Sequence, residues 1–351
     1  MSTLPFQNAE TINAQRRKAL FATIAGAAAF TATKLVRASE RSATSKRAPT
    51  SATTAGRDEM PMKVSYLTRN IGNVEVFYRE AGPVDAPVIL LLHGFPTSSH
   101  MFRDLIPLLA QDYRVIAPDL PGFGNTKAPP RGTFDYTFDN LARVIDEFTV
   151  SLGLKHYAIY AFDYGAPTGY RLAAAHPERV TAIISQNGNA YVEGLSDQWG
   201  AWQTYWRSPT PEHREACRDS LSAETIRNFQ YFHGADRKLV SPDGYTLDIA
   251  YMARPGAEEN QLDLILDYRT NLAHYPEFQQ YFRTHRPPLL AVWGKNDPAF
   301  IPAGALAYRR DIPDAEVHLL DTGHFALETH APEIASYMRD FLSRKLARVA
   351  A

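Results

Sequence analysis

The stretch that most constrains this chain is His156-Tyr157-Ala158-Ile159-Tyr160-Ala161-Phe162-Asp163-Tyr164-Gly165-Ala166, where an apolar, aromatic strand pattern stops at an acid. Ala161 and Gly165, two positions before and two after Asp163, leave room for a sharp turn. The segment therefore reads as strand, tight turn and helix, with the helix over residues 165–175. Such a turn pushes its apex side chain into a cleft and sets a helix N-terminus beneath it. Taken alone, Asp163 also suits a purely structural role as the acid that caps that helix.

The rest of the chain supplies a frame for such a turn. Two short strands, 63–68 and 74–80, flank Asn70-Ile71-Gly72-Asn73 and suggest an opening hairpin. The continuous apolar run 88–92 is the pattern of a strand buried on both faces of a largely parallel sheet, and it ends in His93-Gly94-Phe95-Pro96. Further strands are expected at 113–118, 180–186, 288–293 and 315–320, with an amphipathic helix at 138–152 and a last helix at 331–346. The strand at 288–293 runs into Gly294-Lys295-Asn296-Asp297-Pro298, and the strand at 315–320 into Asp321-Thr322-Gly323-His324-Phe325. Between 187 and about 286 the alternation lapses and aromatic residues crowd in, among them Trp199, Trp202, Tyr205, Trp206 and Tyr268. Most of these rings read as core of an inserted segment.

With its small-X-Asp-X-small turn and its acid and histidine at later strand ends, the chain resembles the α/β-hydrolase superfamily. The similarity is to the branch of epoxide hydrolases and haloalkane dehalogenases, in which aspartate replaces the usual serine. It implies an α/β-hydrolase fold, a mostly parallel eight-stranded sheet flanked by helices, with an inserted helical cap. Residues 61–186 and 287–351 would form the core and 187–286 the cap. It also implies site residues. Asp163 would be the nucleophile, Asp297 the acid and His324 the base, in the family's chain order. The backbone N–H groups of Phe95 and Tyr164 would form the oxyanion hole, since His93-Gly94-Phe95-Pro96 resembles the family's oxyanion-loop motif. Tyr268-Arg269-Thr270-Asn271 resembles a cap segment whose tyrosine donates to the opening epoxide oxygen. Trp202 and Tyr205 lie where a second tyrosine is expected and would contact substrate. Asp297 alternatively serves as a turn residue before Pro298. His93 is read as bonding loop backbone, Asp119 as ordering its own loop, and Glu328 and His330 as ordinary residues around the start of the last helix.

An aspartate at the apex changes the chemistry. A carboxylate is ionised at neutral pH and attacks carbon with no base to activate it, forming an ester that water must then cleave. The expected reaction is hydrolysis of an epoxide to a diol. Haloalkane dehalogenation is the alternative, although those enzymes typically carry Asn in place of Phe95 and Trp in place of Tyr164. Carboxylic ester hydrolysis and a non-catalytic binding role stand behind both.

Composition narrows the partners. A formal net charge of −1 over 351 residues argues against nucleic acid, and an aromatic-rich lid points to a small hydrophobic substrate with water as co-reactant. Cys217 is the only cysteine, so neither an internal disulfide nor a cysteine-based zinc cluster can form. Gly122-X-Gly124 lacks the fuller spacing of a dinucleotide fingerprint, and no cofactor or metal is expected. At the N-terminus, Arg16-Arg17-Lys18 precedes an uncharged run over 19–33, and Val36-X-Ala38 follows. Residues 1–38 resemble a twin-arginine export signal, and 39–60, rich in Ser, Thr and Ala, read as a flexible linker. Export would make the enzyme periplasmic or secreted, touching a membrane only through that signal. A tail on a cytoplasmic protein is the alternative.

Overall fold

The computed structural model describes Lys63–Leu346, so the expected export signal and linker lie outside the described residues. Eight strands form one sheet: β1 (Ser65–Ile71), β2 (Val74–Ala81), β3 (Val88–Leu92), β4 (Arg114–Pro118), β5 (Tyr157–Phe162), β6 (Val180–Gln186), β7 (Leu289–Gly294) and β8 (Glu316–Leu320). Their order across the sheet is β1-β2-β4-β3-β5-β6-β7-β8. β1 pairs antiparallel with β2, and β2 antiparallel with β4, while every later pairing is parallel. The continuous apolar runs behave as expected of central strands: β5 and β7 are buried along their whole length.

Strand order fixes where a site can lie. From β3 the chain moves outward to β4 on one side, then crosses back to β5 on the other. The crossovers therefore diverge at the carboxyl ends of β3 and β5 and leave a crevice there, the place where open α/β sheets bind ligands. Phe95 follows β3 and Asp163 follows β5, so both stand at this crevice.

Helices cover the sheet. In chain order they are α1 (Leu105–Leu109), α2 (Phe138–Ser151) and α3 (Gly165–Ala175) before the cap, and α9 (Pro302–Asp311) and α10 (Ala326–Leu346) after it. The last helix starts earlier than its apolar pattern suggests, at Ala326, because a turn preceding Pro332 joins it across a kink at His330.

Between β6 and β7 lie α4 (Gly200–Arg207), α5 (Pro211–Ala216), the single turn α6 (Ala223–Thr225), α7 (Pro242–Met252) and α8 (Ala257–His285). α6 continues into a π-helical segment, Ile226–Tyr231. α8 runs 29 residues through Pro276, and tertiary packing sustains it across a residue that removes a backbone donor. Two arginines stitch the segment together: Arg214 reaches Glu259 and Asp263, and Arg218 reaches Glu215, Glu258 and Glu259.

Candidate active site

Asp163 sits directly after β5 with φ +48°, a left-handed conformation that costs a non-glycine residue roughly 1–2 kcal/mol. The turn is possible because of what stands at Gly165 and Gly94. A Cβ on Gly165 would come 2.2 Å from the Leu92 carbonyl oxygen, and one on Gly94 would come 2.3 Å from Asp163 Oδ1. Glycine at both positions lets the β3 loop and the β5 turn close on each other. That approach brings two backbone donors onto one oxygen: Phe95 N–H at 2.5 Å and Tyr164 N–H at 2.6 Å from Asp163 Oδ1.

The second carboxylate oxygen faces His324, with Oδ2 3.8 Å from Nε2, too long for a direct hydrogen bond. His324 Nε2 is buried and has no hydrogen-bond partner, whereas Nδ1 lies 2.6 Å from Asp297 Oδ2. Asp297 accepts three more bonds, from the Ala299 and Phe300 N–H groups on Oδ1 and from Asn187 Nδ2 on Oδ2. An acceptor so placed keeps the proton of a neutral His324 on Nδ1 and leaves Nε2 able to take another. The structure thus brings Asp163, His324 and Asp297 together, with Phe95 and Tyr164 alongside.

Burial and charge shift both titrating groups. Desolvation raises Asp163 to about 6, against the opposing pull of His324 and the two backbone donors. Burial disfavours the charged form of His324, but Asp297 and Asp163 outweigh it, and its pKa lies above the ordinary histidine value.

Two polar residues at the end of β6 support this arrangement, and sequence reasoning had passed over both. Gln186 donates from Nε2 to the His324 carbonyl at 3.0 Å and accepts from the Tyr160 hydroxyl. Asn187, at φ +46°, holds Asp297 and accepts from the Gly294 N–H. The available signal was Ser185-Gln186-Asn187, a polar run closing an apolar strand, and all three residues are buried. His93 bonds loop backbone, accepting from Leu120 N–H on Nε2, and Asp119 accepts from the Ser99 and Asn125 N–H groups.

Asp163 and His324 open into a cavity of about 280 Å³ whose walls include Phe95, Trp199, Trp202, Phe229 and Phe300. Trp202 lines it, but its indole N–H donates to Ser220 Oγ at 2.9 Å. Tyr205 does not: its hydroxyl accepts from Arg214, within the cap. Tyr268 is also absent from the lining. Its ring stacks on Trp206 at 5.7 Å and packs against Trp199 and Tyr164. Helical spacing alone does not say which side of an all-aromatic helix interface meets the cavity. Among the described residues no cluster of three or more His, Cys, Asp or Glu side chains is placed to hold a metal ion.

This geometry agrees with comparisons to known proteins. Residues 87–331 match the family model described as the alpha/beta hydrolase fold. An uncharacterized hydrolase of Saccharomyces cerevisiae is 48% identical over 266 residues, covering 75% of this chain and 91% of the yeast protein. A haloalkane dehalogenase of Mycobacterium marinum is 29% identical, covering 75% of this chain and 87% of its own length. A solved structure from Pseudomonas aeruginosa, provisionally named an epoxide hydrolase, superposes with a TM-score of 0.68 at 20% identity, covering 81% of this chain and 97% of that one. At that identity the last likeness speaks for the fold alone. By family match, relatives and architecture, this chain belongs to the α/β-hydrolase family, among its dehalogenase- and epoxide-hydrolase-like enzymes.

Proposed function

We propose that the protein hydrolyses an epoxide to a diol through a covalent ester on Asp163. The observation that carries this reading is the division of labour between the two oxygens of one carboxylate. Oδ1 is already committed to two backbone donors, while Oδ2 is turned toward His324 and the cavity.

Asp163 Oδ2 attacks a ring carbon, the carbon–oxygen bond breaks, and the electron pair goes to the ring oxygen. The proposed donor to that oxygen is Tyr268, whose hydroxyl would turn into the cavity. Burial holds this phenol well above its ordinary pKa, so it is neutral and carries a proton to give. The product of this step is an alkyl ester with Oδ1 as its carbonyl oxygen, still in the oxyanion hole. His324 Nε2 then takes a proton from water as that water attacks the ester carbonyl carbon. Phe95 and Tyr164 N–H groups stabilise the negative charge that develops on Oδ1. Asp297 stabilises the imidazolium, which returns its proton to the departing ester oxygen as the tetrahedral intermediate collapses and the diol leaves; the proton of the new Asp163 carboxyl group then goes to the Tyr268 phenolate, restoring both residues. One oxygen of the regenerated carboxylate comes from solvent.

A His324→Gln variant tests this directly, because it keeps the nucleophile and removes the base. Incubated with an aryl epoxide, its intact mass should rise by the full mass of the substrate. No adduct, with a substrate the parent converts, would sink the ester mechanism. Dehalogenation is the second reading, favoured by the named relative and by the Trp202 indole at the cavity wall. A haloalkane would instead add its mass less that of the hydrogen halide, so one measurement separates the two. The commitment of the Trp202 N–H to Ser220 weighs against a role in binding halide.

A further inference from the structure

The cavity has two unlike ends. Near the sheet it holds Asp163, His324, Phe95 and Phe300, and near the cap it is bordered by Gln198, Asp219, Ser220, Thr225, Phe229 and Gln230. The cap end is built from irregular turns, and this is why polar groups collect there. In the π-helical segment Ile226–Tyr231 the wider turn sets residues four and five positions apart beside each other, so Thr225, Phe229 and Gln230 share one face. Asp219 belongs to the preceding 3₁₀ turn, Arg218–Leu221.

The charge around this space is one-sided. No lysine or arginine lines it. Arg218, next to Asp219, is turned to Glu215, Glu258 and Glu259, and among the described residues the Asp219 carboxylate has no ion-pair partner. The one lining group that can become cationic, His324, already faces the carboxylates of Asp163 and Asp297. Asp219 and Gln198 are exposed at the mouth of the cavity, so solvent screens the field there in part, and no cation on the lining offsets it.

We propose that the cap end reads the far end of the substrate. Asp219, with the amides of Gln198 and Gln230, accepts a hydrogen-bond-donating or cationic tail and repels a carboxylate. The substrate class is then an apolar, aryl-sized body with its reactive carbon at one end and a neutral donor or an ammonium at the other. Haloacids and carboxylate-tailed epoxides are disfavoured. This rests on the reading that the substrate occupies this cavity, and not on which leaving group departs.

The test measures binding without chemistry. Trp199 and Trp202 line the cavity, so the tryptophan fluorescence of the full-length protein should respond to benzylamine, benzyl alcohol and benzoate. At low ionic strength benzoate should bind at least roughly fivefold more weakly than benzylammonium, with the alcohol between them. Asp219→Asn should shrink that ratio by roughly two- to fivefold without abolishing it, because Asp163 still repels anions. Added salt should shrink it further. A ratio near one in the parent, a ratio unchanged in the variant, or no response to any probe would overturn the proposal. Failure of His324→Gln to trap an ester would remove the catalytic reading and leave this ratio standing, so the two can fail separately.

Discussion

The two walls of the cavity are built in different ways. On the sheet side each group is delivered by the end of a buried strand: Phe95 after β3, Asp163 after β5, Asn187 after β6, Asp297 after β7 and His324 after β8. Their spacing is set by parallel pairing, and the key donors are backbone N–H groups that no side-chain rotamer can misplace. On the cap side the lining comes from 3₁₀ turns, a π-helical segment and one face of α4, where a shift of a single residue changes what meets the substrate. The sheet wall thus holds the groups proposed for the chemistry in fixed positions, and the cap wall is where the lining can vary at little cost to the fold.

That contrast fails if a sheet-side substitution proves mild. Asp163→Ala should lower turnover of any accepted epoxide by about 10⁴-fold or more, since the other carboxylate lining the cavity, Asp219 in the cap, has neither the two backbone donors nor the histidine that face Asp163. The assay is diol formation, with circular dichroism to confirm that the left-handed turn tolerates alanine. Residual activity within tenfold of the parent would place the chemistry elsewhere.

The pH response should split the two half-reactions. Asp163 must be ionised to attack, so ester formation should fall away below about 6, where burial has placed its pKa. His324 must be neutral to act as base, and its partners raise its pKa above the ordinary histidine value. The Asp297 part of that rise survives in the ester, where Asp163 carries no charge, so ester hydrolysis should fail first as pH drops. Between the two limits the ester should accumulate in the parent enzyme, up to about tenfold over its level at pH 8.5. Quenched-flow mass measurement reads that fraction directly. An ester fraction that stays flat from pH 5.5 to 8.5 would separate His324 from the hydrolytic step.

Tyr268→Phe tests the cap side at its most demanding point. If the hydroxyl reaches the opening oxygen, ester formation should slow by at least tenfold while ester hydrolysis keeps its rate. Equal slowing of both steps would mark the ring as wall material, held by Trp199 and Trp206.

Sequence was legible to the extent that structure is local. The central strands β3 to β7 lie within a few residues of their apolar runs, because burial on both faces demands such runs, while the exposed edge strand β1 is placed by the turn that follows it. The turn at Asp163, the loop after Gly94 and the loop before His324 follow from glycine placement, which a reader of the chain can see. The cap offered no comparable rule. Nothing in its spacing distinguishes Trp202, which faces the cavity, from Tyr205 and Tyr268, which do not, since all three are aromatic positions on helices buried from several sides. Ser220 and Asp219 gave no signal because their role depends on a turn whose geometry only the packed cap defines.

Stability offers a separate test of the same comparison. The sheet side and the cap each hold a buried carboxyl group whose pKa is raised by desolvation: Asp163, about 6, at the cavity, and Asp248, about 8, in α7 and off the cavity lining. Asp163 has two backbone donors and a histidine in compensation, whereas Asp248 accepts from the Tyr231 hydroxyl and has its other oxygen unpartnered. In the unfolded chain Asp248 ionises near 3.8, while in the fold it keeps its proton to about 8. Between those values the native state binds the extra proton, so raising the pH destabilises the fold, by up to roughly 1.4 kcal/mol per pH unit. The contribution is fully present below 3.8 and lost as pH rises through about 8. Asp248→Asn removes the ionisation. Its melting temperature relative to the parent should therefore climb between pH 5 and pH 8 and level off beyond, and a difference that does not change with pH would mean that the cap tolerates a buried charge there. Tyr231 stacks on Phe325, next to His324, at 4.0 Å, so the same titration also reports on how firmly the cap is held against the catalytic loop.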